Sequence, residues 1–334
     1  MDKVDIKELA KDLKLSTSTV SRAFRGNSDI NAQTKERILA RARELNYQPN
    51  LYASNLREKK SNTIAIIVPE LANDFFSQAI KGIERVAREK GYHSLIYVTD
   101  DEYQLEVSII NDLSNGRVDG IIMSASGEAK DHNYLKQLKK RHMPLVFFDR
   151  VYDDIDVAKV TTNDYESSFN ATRHLVAAGC KKIVFLVINK SLSIGNVRMQ
   201  GYVDALAAEG IPFNKDLVID CSNDHKKSYN IISKVLTTIK PDGVFAAVER
   251  LAIVSYYVCQ DLNINIPKKV KIISFSSLEI APLLSPSLTT ITQPARDLGV
   301  HAAQLLFKSL ESGAPVHDHV VLKSKIIPRK STSS

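Results

Sequence analysis

The chain has 334 residues, 44% apolar and 25% charged, more than one hydrophobic core usually organises and not the composition of a disordered or membrane protein. Its formal charge of +7 is uneven: residues 1–60 hold 13 Lys and Arg against 8 Asp and Glu, and the other 274 hold 32 against 30, which suggests a small polyanion-binding head on a nearly neutral body. No run approaches the roughly 18 apolar residues of a membrane span, the charged start Met1-Asp2-Lys3-Val4-Asp5 lacks the apolar core of a secretory signal, and Cys180, Cys221 and Cys259 lack metal-ligand spacing, so a cytosolic protein with reduced thiols is expected.

Asp5-Ile6-Lys7-Glu8 has the form of a capping box. Behind it Ile6, Leu9, Ala10 and Leu13 recur at helical spacing. After the turn Lys14-Leu15, Ser16 is placed to cap a second helix with Val20, Ala23 and Phe24 on one face and Thr17, Ser18, Ser21, Arg22 and Arg25 on the other. Small hydroxyls and guanidiniums suit a core poorly and a DNA major groove well. Asn31 is placed to cap a third helix, with Ile38, Ala42 and Leu45 on its inner face. The periodicity gives a helix-turn-helix unit or an ordinary three-helix bundle.

The run Leu15-Ser16-Thr17-Ser18-Thr19-Val20-Ser21-Arg22, followed by Leu45-Asn46-Tyr47-Gln48-Pro49-Asn50, resembles the lactose-repressor (LacI/GalR) family of bacterial transcription regulators, and the resemblance covers nearly the whole chain. It implies base-reading roles for Thr17, Ser18 and Arg22 and phosphate contacts for Ser16, Ser21, Asn31 and Thr34. Lys14 stands where the family usually has a turn glycine, and a left-handed lysine there costs roughly 1–2 kcal/mol more than glycine.

Residues 51–57 read as a helix of about two turns, too short to persist alone in water, before the basic linker Glu58-Lys59-Lys60. In the family such a hinge helix orders on operator DNA, pairs with its dimer mate and inserts a leucine into the minor groove. The resemblance gives that position to Leu56, with Tyr52, Ala53 and Asn55 as further DNA contacts. A leucine anchoring the linker to the next domain is the alternative.

From residue 63, β-branched runs at 63–68, 93–98, 120–123 and 145–148 alternate with helical stretches near 75–90, 104–115 and 131–141. The pattern recurs at 182–186, 217–220, 243–246 and 271–274, with helices near 195–209, 226–239 and 249–262, then a helix over 294–311. The fold class expected is α/β: two doubly wound parallel-sheet lobes behind a helical head, each with a site beyond its strands' carboxyl ends. The type I periplasmic-binding-protein fold matches this. Expected boundaries are a head at 1–48, hinge and linker at 49–62, a first lobe at 63–162 and 293–322, a second at 163–292 and 323–330, and a disordered tail at 331–334.

Glycine-rich dinucleotide, P-loop and His-Glu-x-x-His motifs are lacking, so no enzyme, cofactor or metal is expected. His317-Asp318-His319 reads as a polar segment near the last strand, and Asp100-Asp101-Glu102 as a solvated helix entry, with a metal site the alternative for each. Cleft candidates follow strands. Phe75 and Phe76 lie in an Asn-Asp-Phe-Phe element and are ligand walls or core packing; Ser124 follows the third strand. Asp149 ends the fourth, contacting ligand or capping a turn. Arg198 opens Arg-x-x-Gly-Tyr, and the resemblance points it into the cleft. Glu249 and Ser276 stand in segments where the family commonly has Ala-Asn-Asp and Gly-Phe-Asp, and Gln293 closes a crossover. With an acid lost opposite Arg198, an anionic sugar derivative is the expected effector.

The resulting expectation is a cytoplasmic homodimeric regulator, a repressor, that binds a near-palindromic double-stranded operator under control of a sugar-like effector. A solute-binding receptor of the same two-lobed fold is the alternative.

Overall fold

The computed structural model describes residues 5–24, 30–47, 60–127, 131–188 and 193–333. Two compact units divide the chain at Ser61 and Asn62.

In the first unit, helices α1 (Ile6–Asp12), α2 (Thr17–Phe24) and α3 (Ala32–Glu44) enclose Leu9, Ala10, Val20, Ala23, Ile38 and Ala42. Each start has a polar cause. Asp5 and Glu8 form the reciprocal capping box, the Ser16 hydroxyl accepts from the Thr19 amide at 3.1 Å, and Asn31 accepts from Gln33. The turn after α1 is closed by Lys14 in the left-handed region at φ 55° and by a 2.9 Å bond from the Leu15 amide to the Ala10 carbonyl. Helix α3 clamps that turn: Arg37 donates to the Leu13 carbonyl at 3.0 Å, and Arg41 pairs with Asp12.

The second unit holds two six-stranded sheets. Strands β1 (Thr63–Val68), β2 (His93–Val98), β3 (Gly120–Met123), β4 (Leu145–Phe148) and β5 (Ala158–Thr162) form the first, in the order β2-β1-β3-β4-β5, and β11 (His319–Leu322) adds beside β5. Strands β6 (Ile183–Ile188), β7 (Val218–Cys221), β8 (Gly243–Ala246), β9 (Lys271–Phe275) and β10 (Thr289–Thr292) repeat that order, closed by β12 (Lys325–Ile327). Every pairing is parallel except β10 with β12. Buried Val, Ile and Leu runs in the central strands are what a sheet covered on both faces requires.

Helices α4 (Asp74–Glu89), α5 (Tyr103–Leu113) and α6 (Asn133–Lys140) belong to the first lobe. Helices α7 (Asp164–Ala177), α8 (Ser193–Ala208), α9 (His225–Thr238) and α10 (Glu249–Asp261) belong to the second, and α11 (Ala295–Ser312) returns to pack on α4. The α4–α11 contact is backbone-close: a Cβ on Gly82 would collide with the Arg296 carbonyl, and one on Gly299 with that of Ala79.

Two sequence expectations change. The expected elements omit helix α7 and strand β5, although β5 alternates buried Ala158, Val160 and Thr162 with half-buried Lys159 and Thr161. The expected disordered tail is ordered to residue 333, because buried Ser331 donates to the Ile272 carbonyl at 2.6 Å and accepts from the Thr289 amide at 2.8 Å.

Candidate functional site: a DNA-reading helix and an interlobe cleft

Thr17, Ser18 and Arg22 are exposed on α2, while Ser21 and Thr34 are half-buried. Ser16 is already engaged as a helix cap, its Oγ lying 2.8 Å from those of Ser18 and Thr19. Arg22 folds back along α2, its Nε donating to the Ser18 carbonyl at 3.4 Å. The face offers hydroxyls and a guanidinium on a helix whose other side is fixed by Val20 and Ala23. Tyr52, Ala53, Asn55 and Leu56 lie outside the described residues.

In the second unit, the carboxyl ends of the two sheets face one open cavity. Glu70, Asn73 and Phe75 reach it from beyond β1, Asp101 from beyond β2, and Asp149 and Arg150 from beyond β4. The other wall comes from Ala247 to Arg250 after β8, Phe275 to Ser277 at the end of β9, Asn223 after β7, and Arg198 on α8. This is the position the doubly wound topology favours, at strand carboxyl ends where the order reverses.

Arg198 is 5% exposed and held from three sides. Its Nε and Nη2 each lie 2.7 Å from Asp164 Oδ1, its Nη1 donates to the Ala247 carbonyl at 2.6 Å, and its guanidinium sits 3.7 Å from the centre of the Phe275 ring. Gly201 explains the placement, since a Cβ there would meet the Tyr165 carbonyl. Tyr202, donating to the Ile183 carbonyl at 2.8 Å, pins the same helix to β6.

Asp149 is 9% exposed with left-handed backbone at φ 60°. Burial raises its carboxyl to about 6, against the pull of Arg150 and Arg198. Glu249, at the start of α10, accepts from Ser276 Oγ at 3.1 Å and the Ser277 amide at 3.2 Å, and burial raises its carboxyl as well. Across the cleft mouth Arg250 pairs with Glu70, and Asn223 donates to Asp101 at 3.4 Å.

Residues 61–332 match the family model described as periplasmic binding proteins and sugar binding domain of LacI family, and residues 5–50 match bacterial regulatory proteins, lacI family. The chain belongs to the lacI family. Catabolite control protein A of Priestia megaterium is a relative, 27% identical over 98% of this chain and 99% of its own. The lac repressor dimer bound to operator and the anti-inducer ONPF superposes with a TM-score of 0.86 at 22% identity over all of both chains. A LacI family regulator from Enterococcus faecium with bound ribose gives 0.73 at 25% identity, covering 81% of this chain and 98% of its own.

Within this family member the cleft gathers Phe75, Phe76, Asp149, Arg198, Glu249, Ser276 and Gln293. Phe75 and Phe76 line the cavity, and the Phe75 ring meets Phe76 edge-on at 5.1 Å within the core. Ser124 is not among the described residues of the wall. Its amide still bonds the Ile67 carbonyl at 2.9 Å, so it continues the strand line and is fully buried. Asp101 is no solvated helix entry, because it pairs with Arg150 at 2.5 Å inside the cleft. The expected anionic effector also loses its premise: the charge of Arg198 is answered by Asp164, and beside the substituted Ser276 stands the carboxylate of Glu249. Asp164 escaped the sequence reading with α7. Its signal was the polar Asn163-Asp164 pair just after a β-branched run. Arg250, Asn223 and Ser277 follow strands as closely as the chosen residues and carried no further mark.

Proposed function

We propose that this lacI family member is a cytoplasmic homodimeric repressor that reads a near-palindromic operator with α2 and is controlled by a small sugar-like effector in the interlobe cleft. The observation that carries the reading is the union, in one chain, of a capped, hydroxyl- and arginine-faced helix with a cavity lined by charged and aromatic side chains at the carboxyl ends of the parallel strands of two sheets. The operator- and anti-inducer-bound lac repressor dimer and the ribose-bound regulator lend support by likeness. Among the described residues no helix is long and apolar enough to cross a membrane.

The test selects duplexes from random sequence with the full chain and follows their binding by anisotropy against salt. A two-fold-related consensus and a steep fall of affinity with salt are expected. Arg22→Ala should lower affinity for the selected site by about 1–3 kcal/mol, as loss of a bidentate base contact does, while weakening random duplex far less. A flat salt response and no consensus would return the chain to the solute-receptor reading.

A further inference from the structure

The geometry points to an effector that carries a protonated amine, an amino sugar or hydroxylated amine of that size, seated between Asp149 and Glu249. This rests on the cleft being the effector site.

Three guanidiniums line the cavity, and each has a carboxylate partner. Arg150 pairs with Asp101 at 2.5 Å, leaving Asp149 at 4.0 Å from its Nε. Arg250 pairs with Glu70 and donates to the Asn223 carbonyl at 3.1 Å. Arg198 pairs with Asp164. Against these three stand the wall carboxylates Glu70, Asp101, Asp149 and Glu249, with Asp164 directly behind Arg198. The surplus negative charge falls on Asp149 and Glu249, on opposite lobes.

These two are not surface acids in a loose cluster. Asp149 is nine-tenths buried at a cavity wall, with Gln293 as its side-chain hydrogen-bond partner. Glu249 uses Oε2 for both the Ser276 and Ser277 contacts. Burial disfavours the ionised form of each carboxyl, so a cation entering the cavity restores what desolvation removed. An anionic ligand would meet both carboxylates with the nearest guanidiniums already bonded. A neutral sugar would donate hydroxyls but bring no countercharge to this acid surplus. Phe75 on the same wall adds apolar surface beside the two acids.

Calorimetry and thermal shift on the full chain at neutral pH, with D-glucose against D-glucosamine, D-galactose against D-galactosamine and D-mannose against D-mannosamine, and D-gluconate as the anion, test the charge alone. In at least one pair the amine should bind about tenfold tighter than its neutral partner, because charge-assisted hydrogen bonds are roughly twice as strong as neutral ones. Glu249→Gln and Asp149→Asn should each bring that ratio towards one, with circular dichroism confirming the fold. Equal or tighter binding of every neutral member, tighter gluconate, or no amine binding in any pair overturns the inference. The two failures separate cleanly: a neutral sugar that binds and shifts operator affinity leaves the regulator reading standing, whereas loss of salt-dependent duplex binding removes that reading itself.

Discussion

Arg198 and Asp164 form a buried ion pair at the root of the cleft, with Nε and Nη2 both 2.7 Å from one carboxylate oxygen and side-chain exposures of 5% and 6%. Removing one partner of such a pair leaves a buried charge and costs about 3–5 kcal/mol. Asp164→Asn keeps one acceptor, so a smaller loss of about 2–3 kcal/mol is expected in chemical denaturation. The freed guanidinium then becomes available to the cavity. Gluconate should therefore raise the melting temperature of the variant more than that of the parent; equal shifts in both would show that the pair does not restrain Arg198.

Asp149 makes the ligand-free protein less stable as pH rises. Its folded carboxyl sits at about 6 against an ordinary 3.8, so between those values the native state holds a proton the unfolded chain has released. The stability this contributes is fully present below about pH 4 and is lost as pH rises through 6. At 1.36 kcal/mol per pH unit, the difference amounts to at most about 3 kcal/mol. Asp149→Asn should remove that slope, so that the gap between variant and parent in urea midpoint widens from pH 4 to 6.5 in the variant's favour. A gap that stays constant would place the carboxyl in its ordinary range.

Much of the fold was legible because it rests on local rules. The capping box at Asp5 and Glu8, the alternation of β-branched runs with helices, and the tight turn at Lys14 each leave a mark within a few residues. The cleft was legible in part, since residues following strands in a doubly wound sheet converge on one crevice. What stayed hidden is pairing across sequence. Asp164 lies 34 positions from Arg198, and Glu70 lies 180 from Arg250. The departure at Ser276 suggests the loss of an acid opposite Arg198; Asp149 and Glu249 are legible after their strands, and only spatial assembly adds Glu70, Asp101 and Asp164 to them.

Gly201 sets the approach of α8 to α7, and with it the reach of Arg198. A methyl group there would press on the Tyr165 carbonyl, the Ser168 side chain and the Phe169 amide. Backbone contacts of this kind cannot yield as a flexible side chain does. Gly201→Ala should destabilise the fold by about 1–3 kcal/mol, as overpacking does, despite the better helix propensity of alanine. A thermal melt settles the sign; stabilisation would mean that α8 can slide without cost.

Glu70 and Arg250 hold the two lobes together at the cleft mouth, helped by the 3.4 Å contact of Gln78 with the Ser277 carbonyl. The pair is about a third exposed, so its contribution is of the order of 0.5–1 kcal/mol. Arg250→Ala should lower the population of the closed cleft, and effector affinity should fall about two- to fivefold in calorimetry. Unchanged affinity would mean that closure is set elsewhere.

Lys14 occupies the left-handed region at φ 55°, in the turn that joins α1 to α2. Its side chain is exposed. The turn itself is fixed by the Leu15 to Ala10 backbone bond and by Arg37 on the Leu13 carbonyl. Glycine relieves the strain of roughly 1–2 kcal/mol but frees the unfolded chain, which offsets about half of that gain. Lys14→Gly should therefore slow amide exchange across α1 and α2 by a factor that corresponds to about 0.5–1 kcal/mol. It also removes a positive charge from the basic head, so affinity for random duplex should fall slightly at low salt while the better-ordered turn leaves the Thr17, Ser18 and Arg22 face in place. Faster exchange in the variant would mean that the lysine side chain itself supports the turn.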